Sequence, residues 1–163
     1  MDFAQLVREH QSMVYSCAWH FLRDRGLAEE VGQEVFLELH RSLANLESPE
    51  HVKNWLRRTA VHRSIDQARK RRLQPRLTLE DVPEPSTGPH SVDPLLSAAL
   101  QRIVASLPEK ARAVVILRYQ EDLDPSEIAD LLAMPVGSVK SQLQRALALL
   151  RGKLSRSCGE MRI

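Results

Sequence analysis

Between Lys53 and Arg72 the segment KNWLRRTAVHRSIDQARKRR sets a row of cations against a single carboxylate, Asp66. Lys53, Arg57, Arg58, Arg63, Arg69, Lys70, Arg71 and Arg72 would give one helix a strongly cationic surface, the electrostatic footprint of a polyanion-binding element. Trp55 could stack on an unpaired base, although its spacing suits a buried position better. His62 adds a ring that can donate or accept a hydrogen bond. A second constellation lies in VGSVKSQLQR, Val136 to Arg145. Ser138, Lys140, Ser141, Gln144 and Arg145 offer hydroxyls, an amide and cations, and no Asp or Glu occurs from Gly137 to Cys158. Such groups contact phosphates and base edges. A third set, Glu30, Glu34 and Glu38, recurs every four residues and forms an acidic stripe on a helix, suited to a basic partner or to solvent.

Charge is sorted along the chain in the same way. Residues 1–50 carry four Lys/Arg against nine Asp/Glu, and residues 51–76 carry nine against one. Residues 77–100 have no Lys/Arg and four Asp/Glu, and residues 101–163 have ten against seven. The formal net charge of +2 conceals this division. Enzymatic readings find little purchase: His51, His62 and Asp66 lack a nucleophile in a recognisable arrangement, and Glu34 with Glu38 lacks the Glu-x-x-His pattern of a carboxylate metal site. No cofactor and no metal site is expected. Cys17 and Cys158 stand far apart and read as reduced thiols. No apolar run reaches the roughly 18 residues of a membrane span, and the N-terminus lacks a signal-peptide pattern, so the expectation is a cytoplasmic protein without membrane insertion.

Helices must position these groups, because glycine is scarce and no strand-length alternation occurs. Phe3, Leu6, Val7, Val14, Cys17 and Phe21 give the first amphipathic pattern, and Leu27, Val31, Val35, Leu39 and Leu43 the second, with a break at Asp24-Arg25-Gly26. Ser48-Pro49 starts a third helix with a Ser cap and Pro at the first helical position. Five of the nine prolines fall between Leu73 and Pro94. That density ends packed helix and predicts a flexible, acidic linker over 73–93 between an N-terminal domain, 1–72, and a C-terminal domain, 94–163. Helix resumes at Pro94 and again at Pro108, and Asp124-Pro125-Ser126-Glu127 is a capped start. Two short helices then flank Ala133-Met134-Pro135, the frame of a helix-turn-helix. Periodicity alone admits an antiparallel helix pair with a solvated basic face equally well. The expected fold is all-α, two small helical domains joined by a Pro-rich linker, the second ending in the helix-turn-helix.

The segment LPEKARAVVILRYQEDLDPSEIADLLAMPVGSVKSQLQRALALLR resembles region 4 of the extracytoplasmic-function sigma factors of bacterial RNA polymerase. Its Leu107-Pro108, Leu117-Arg118-Tyr119, Glu127-Ile128-Ala129 and Gly137-Ser138-Val139-Lys140-Ser141 follow that family's landmarks in order. Independently, AEEVGQEVFLELHRSL and VKNWLRRTAVHRSIDQARKRR resemble its region 2. The resemblance implies a polymerase-binding surface on the helix bearing Glu30, Gln33, Glu34, Phe36 and Glu38. It implies that the basic helix, from Lys53 to Arg72 with Trp55 and His62, meets the melted minus-10 promoter element. Val136 to Arg145 would read the minus-35 element as duplex, with Arg112 holding phosphate. Core polymerase, promoter DNA and an anti-sigma factor are the implied partners. Promoter elements about 20 base pairs apart lie roughly 70 Å apart, and some 20 extended linker residues reach ~66 Å.

Four positions depart from the family pattern. Gly32 replaces an aliphatic residue and should loosen its helix, and His62 stands where Asn is usual. Ala133 replaces a turn glycine, which argues against a left-handed conformation there or implies strain. Gln142 replaces an Arg and removes one phosphate contact. Two other classes fit parts of the sequence: an autonomous helix-turn-helix regulator of duplex operators, and a helical adaptor that binds polymerase or its regulators without reading DNA.

Overall fold

The computed structural model describes residues 2–73 and 94–160. The linker expected over 73–93 lies outside the described residues, except for Leu73, which ends a helix. Helix α1 spans Phe3–Leu22 and begins where the Asp2 carboxylate accepts from the Ala4 N–H at 3.3 Å. It stops at Arg23, which turns left-handed at φ 54° and returns its N–H to the Trp19 carbonyl at 2.7 Å. Asp24 immediately caps α2, Arg25–Ser42, by accepting from the Leu27 N–H at 3.0 Å. The break therefore falls at Arg23-Asp24, and Arg25 and Gly26 already belong to the next helix. A short 3-10 turn, Leu43–Asn45, leads to α3, Pro49–Leu73, whose Ser48 cap accepts from the His51 N–H at 3.1 Å.

The second half holds α4, Pro94–Ala105, α5, Glu109–Tyr119, α6, Pro125–Leu132, and α7, Val136–Glu160. Asp124 caps α6 through the Glu127 N–H at 2.9 Å, as its sequence requires. Helices α1, α2 and α3 enclose Phe21, Leu39 and Leu56 with a set of valines, all shielded from solvent. At roughly 1.5–3 kcal/mol for each such side chain, they dominate what holds this bundle together. In the second half Leu117, Ile128 and Val139 join α5, α6 and α7, while Leu107, Val115, Ala146 and Leu150 fix α5 against the length of α7.

The two halves do not stand apart. Helix α1 packs on α4 and α5, and α3 packs on α5 and α6, so that one buried cluster runs from Leu6 through Val61 to Val114 and Leu131. Sequence periodicity foresees two helical units, and the structure adds that their apolar faces are continuous.

Two local departures carry a measurable cost. Ala133 ends α6 at φ 53°, ψ 49°, the left-handed region, where a Cβ costs roughly 1–2 kcal/mol. Of the two outcomes the sequence leaves open there, strain is the one realised. Gly32 lies inside α2, and a Cβ placed on it would meet nothing within 4 Å. Ala133→Gly is therefore expected to raise the unfolding free energy by about 1 kcal/mol, and Gly32→Ala by about 1 kcal/mol. Urea denaturation followed by circular dichroism checks both, and a lower midpoint for either variant would contradict the assigned cause.

Candidate nucleic-acid interface

Helix α7 divides cleanly between core and surface. Val139, Leu143, Ala146 and Leu150 recur at three- and four-residue steps and are buried. The intervening positions Val136, Gly137, Ser138, Lys140, Ser141, Gln144 and Arg145 are exposed. Ala133-Met134-Pro135 joins α6 to α7, and Met134 returns its N–H to the Ala129 carbonyl at 3.0 Å. The result is a helix-turn-helix whose second helix offers hydroxyls, an amide and cations along one solvent face, the composition that suits a major groove.

Arg112 does not join that face. Its Nη2 and Nε donate to the Leu107 carbonyl at 2.9 and 3.3 Å, and its Nη1 donates across the joint to the Phe21 carbonyl at 2.8 Å. The guanidinium carbon lies 4.8 Å from the centre of the Phe21 ring. Burial pulls its pKa below the usual arginine value, the direction expected of a cation withdrawn from water. Arg112, expected to hold phosphate, here fastens α5 to the end of α1. The reason is that the last carbonyls of a helix lack intrahelical partners and carry the negative end of its dipole. Arg71 treats the neighbouring acceptor likewise, donating from α3 to the Leu22 carbonyl at 2.9 Å, with Asp24 at 4.0 Å.

On α3 the cations fall into two groups. Lys53, Arg58, His62 and Lys70 are exposed, and Trp55 is half-buried against the core, as its spacing favours. The others are engaged, although Arg69 and Arg72 remain 51% and 65% exposed. Arg63 meets Glu38 at 2.8 Å and Glu34 at 3.7 Å, and the Glu38 hydrogen bond raises its pKa. Arg57 meets Glu121 at 3.2 Å, with the two side chains only 13% and 10% exposed. Arg72 lies 2.9 Å and Arg69 3.8 Å from Glu109. Glu109 and Glu121 come from the second half and escape sequence reasoning, since nothing local marks an acid as the partner of a cation some 40 to 60 positions away.

The third set splits as well. Glu34 and Glu38 face α3 and Arg63, whereas Gln33 and Phe36 line a cleft of about 820 Å³ between α1 and α2, together with Phe3, Tyr15 and Leu37. Glu30 is exposed. Gly32 also borders this cleft, so its missing side chain widens it. Burial pushes the Cys17 thiol up to about 12, which keeps it protonated and unreactive at neutral pH. Among the described residues no helix is long and apolar enough to cross a membrane.

An all-helical chain with an exposed helix-turn-helix face and a cationic helix has the architecture of a nucleic-acid-binding protein. Comparison with known proteins sharpens this. Residues 6–74 match the family model Sigma-70 region 2, and residues 97–150 match Sigma-70, region 4. The chain is 33% identical over 162 residues to the ECF RNA polymerase sigma factor SigE of Mycolicibacterium smegmatis, covering 96% of this chain and 63% of that protein. It is 28% identical over 167 residues to SigW of Bacillus subtilis, covering 93% of this chain and 88% of that protein. The fold is shared with the sigma factor RpoE of Bartonella quintana, solved in complex with the anti-sigma factor NepR, at a TM-score of 0.74, 19% identity, and 94% and 97% coverage of the two chains. It is shared also with CnrH, solved with the cytosolic domain of CnrY, at 0.67, 21% identity, and 94% and 88% coverage. The chain belongs to the sigma-70 family, in its extracytoplasmic-function group.

The Arg112 contacts define a test of the joint. Arg112→Ala removes the guanidinium donors and strands the buried Leu107 and Phe21 carbonyls, so stability is expected to fall by about 2–3 kcal/mol. Arg112→Lys should recover little of this, because an ammonium cannot reproduce the planar fork. Urea unfolding of both variants checks the pair, and full recovery by Lys would show that charge alone matters.

Proposed function

We propose that this protein directs core RNA polymerase to promoters by gripping DNA at two points. The observation that carries the reading is the pairing of two surfaces in the order of the family's two regions. The exposed face of α7, Val136 to Arg145, reads the minus-35 element as duplex, with Lys140 and Arg145 positioning on phosphate and Ser138, Ser141 and Gln144 reaching base edges. Helix α3 meets the minus-10 element once it is melted: Lys53, Arg57, Arg58, Arg63 and the 69–72 cluster supply charge, while Trp55 and His62 border the unpaired strand. The α2 surface bearing Glu30, Gln33, Glu34, Phe36 and Glu38 docks on polymerase, with Gln33 and Phe36 in the α1–α2 cleft and Glu34 and Glu38 on the side toward α3. The protein performs no catalysis of its own and works in the cytoplasm, where its activity is held in check by an anti-sigma factor.

Support comes from the two family matches, from the names of the relatives, and from the exposure of the α7 set. Run-off transcription with core enzyme across genomic fragments is the direct test. Specific initiation is expected only when both protein and core are present, and its absence from every fragment would sink the reading. A tight operator complex formed by the protein alone would point instead to an autonomous regulator. Lys140→Ala with Arg145→Ala is expected to weaken upstream duplex binding by roughly tenfold or more and to flatten its salt dependence. Electrophoretic mobility shift assays of the polymerase complex across a salt series measure both effects.

A further inference from the structure

The buried side chains fall into two clusters that meet without merging. One reaches Ile116 of α5, and the other holds its neighbour Val115 together with Leu150 of α7. Between them lies a cavity of about 410 Å³, bounded by α1, α4, α5 and α7. Close-packed interiors keep few voids larger than a water molecule, because an unfilled wall forfeits its dispersion contacts. This volume falls instead in the range of small-molecule sites, roughly 300–1,000 Å³. The floor is apolar and sheltered: Val115, Ile116 and Leu150 are each no more than 6% exposed. The mouth is open, with Leu100 39% and Tyr119 58% exposed beside the exposed Arg151. The polar part of the lining has one character. His20, Gln101, Tyr119, Gln120 and Arg151 all carry hydrogen-bond donors, Arg151 adds a positive charge, and no Asp or Glu among the described residues lines the cavity.

We propose that this cavity is a binding site for an amphipathic carboxylate, a straight alkyl chain with one anionic head. The alkyl chain lies against the floor of Val115, Ile116 and Leu150, where it leaves no polar group unpaired. The carboxylate stays at the mouth and receives charge-assisted hydrogen bonds from the Arg151 guanidinium. A cationic head on the same chain meets Arg151 with no lining acid to answer it. The site shares no residue with the surfaces assigned above to DNA or polymerase, so it adds a ligand to the proposed function without depending on it. An occupant touches α1 as well as α4, α5 and α7, and binding to the folded chain alone raises its thermal stability by mass action.

Isothermal titration calorimetry of the full-length chain with hexanoate, octanoate and decanoate, each below its micellar concentration, tests the site. Saturable binding of one equivalent is expected, tightening about three- to fourfold for each added CH₂. Leu147→Trp, which sets an indole across the cavity, is expected to abolish binding, whereas Leu149→Trp, at an exposed position of the same helix outside the lining, should leave it unchanged. Arg151→Gln should weaken decanoate about tenfold and leave decanol as it was. Decyltrimethylammonium, with the same chain and the opposite charge, should bind at least tenfold more weakly than decanoate. Equal binding of these two overturns the carboxylate as the ligand. Binding that survives Leu147→Trp, or that grows no tighter from hexanoate to decanoate, overturns the cavity as its seat. Absence of saturable binding overturns the proposal outright and leaves the cavity to water. If decanoate fails and sedimentation velocity shows a dimer that Leu147→Trp dissociates, a second copy of the chain is the occupant and the proposal is likewise overturned. Circular dichroism verifies folding, and Val104→Phe, at a half-buried lining position, replaces Leu147→Trp if that variant is unfolded.

Discussion

The carbonyl groups at the end of α1 have no partners within their own helix, and much of the molecule is organised around satisfying them. Phe21 and Leu22 receive guanidinium donors from α5 and α3 respectively, one from each half of the chain. A helix C-terminus favours cations because its dipole and its free acceptors act together. Here the favoured cations also bring their own helices into place. Arg112 lies over the Phe21 ring while bonding to its carbonyl, so the polar contact and the apolar one are made by the same two residues.

From that junction the distribution of charge follows. Helix α3 runs along the joint, so several of its cations are answered by carboxylates of α2 or of the second half, Arg57 in a sheltered contact and Arg69 and Arg72 in exposed ones. Helix α7 packs on α4, α5 and α6, and among the described residues no ion pair falls on its outward face from Val136 to Arg145. The two basic surfaces therefore differ in availability. A phosphate approaching α7 displaces water, whereas one approaching Arg57 must displace Glu121 from a contact shielded from solvent.

Helix α2 illustrates how packing resolves one sequence stripe into two. Glu30, Glu34 and Glu38 share a face by their four-residue spacing, and Gln33 with Phe36 lies about a quarter-turn or more away. Only the positions of α1 and α3 decide that Glu34 and Glu38 meet Arg63, while Gln33 and Phe36 open onto an apolar cleft. Gly32, a helix-weakening residue on intrinsic grounds, acquires a second meaning there because it shapes the cleft wall.

The sequence by itself determined the helices and most of their ends. Ser48 and Asp124 announce their caps through short side chains that bond the next turn, whereas the cap at Asp24 lay inside what read as a break, and Val139, Leu143, Ala146 and Leu150 announce the buried side of α7 through their period. Both are local properties, fixed within a few residues. The exposed set from Val136 to Arg145 was legible for the same reason, being what remains of α7 once the apolar positions are assigned. The role of Arg112 was not legible, nor were Glu109 and Glu121 as partners of α3, because a guanidinium looks the same in sequence whether a carbonyl, a carboxylate or a phosphate awaits it. Tertiary structure alone decided that, by bringing residues from opposite sides of a proline-rich segment together, where burial strengthens the Arg112 and Arg57 contacts.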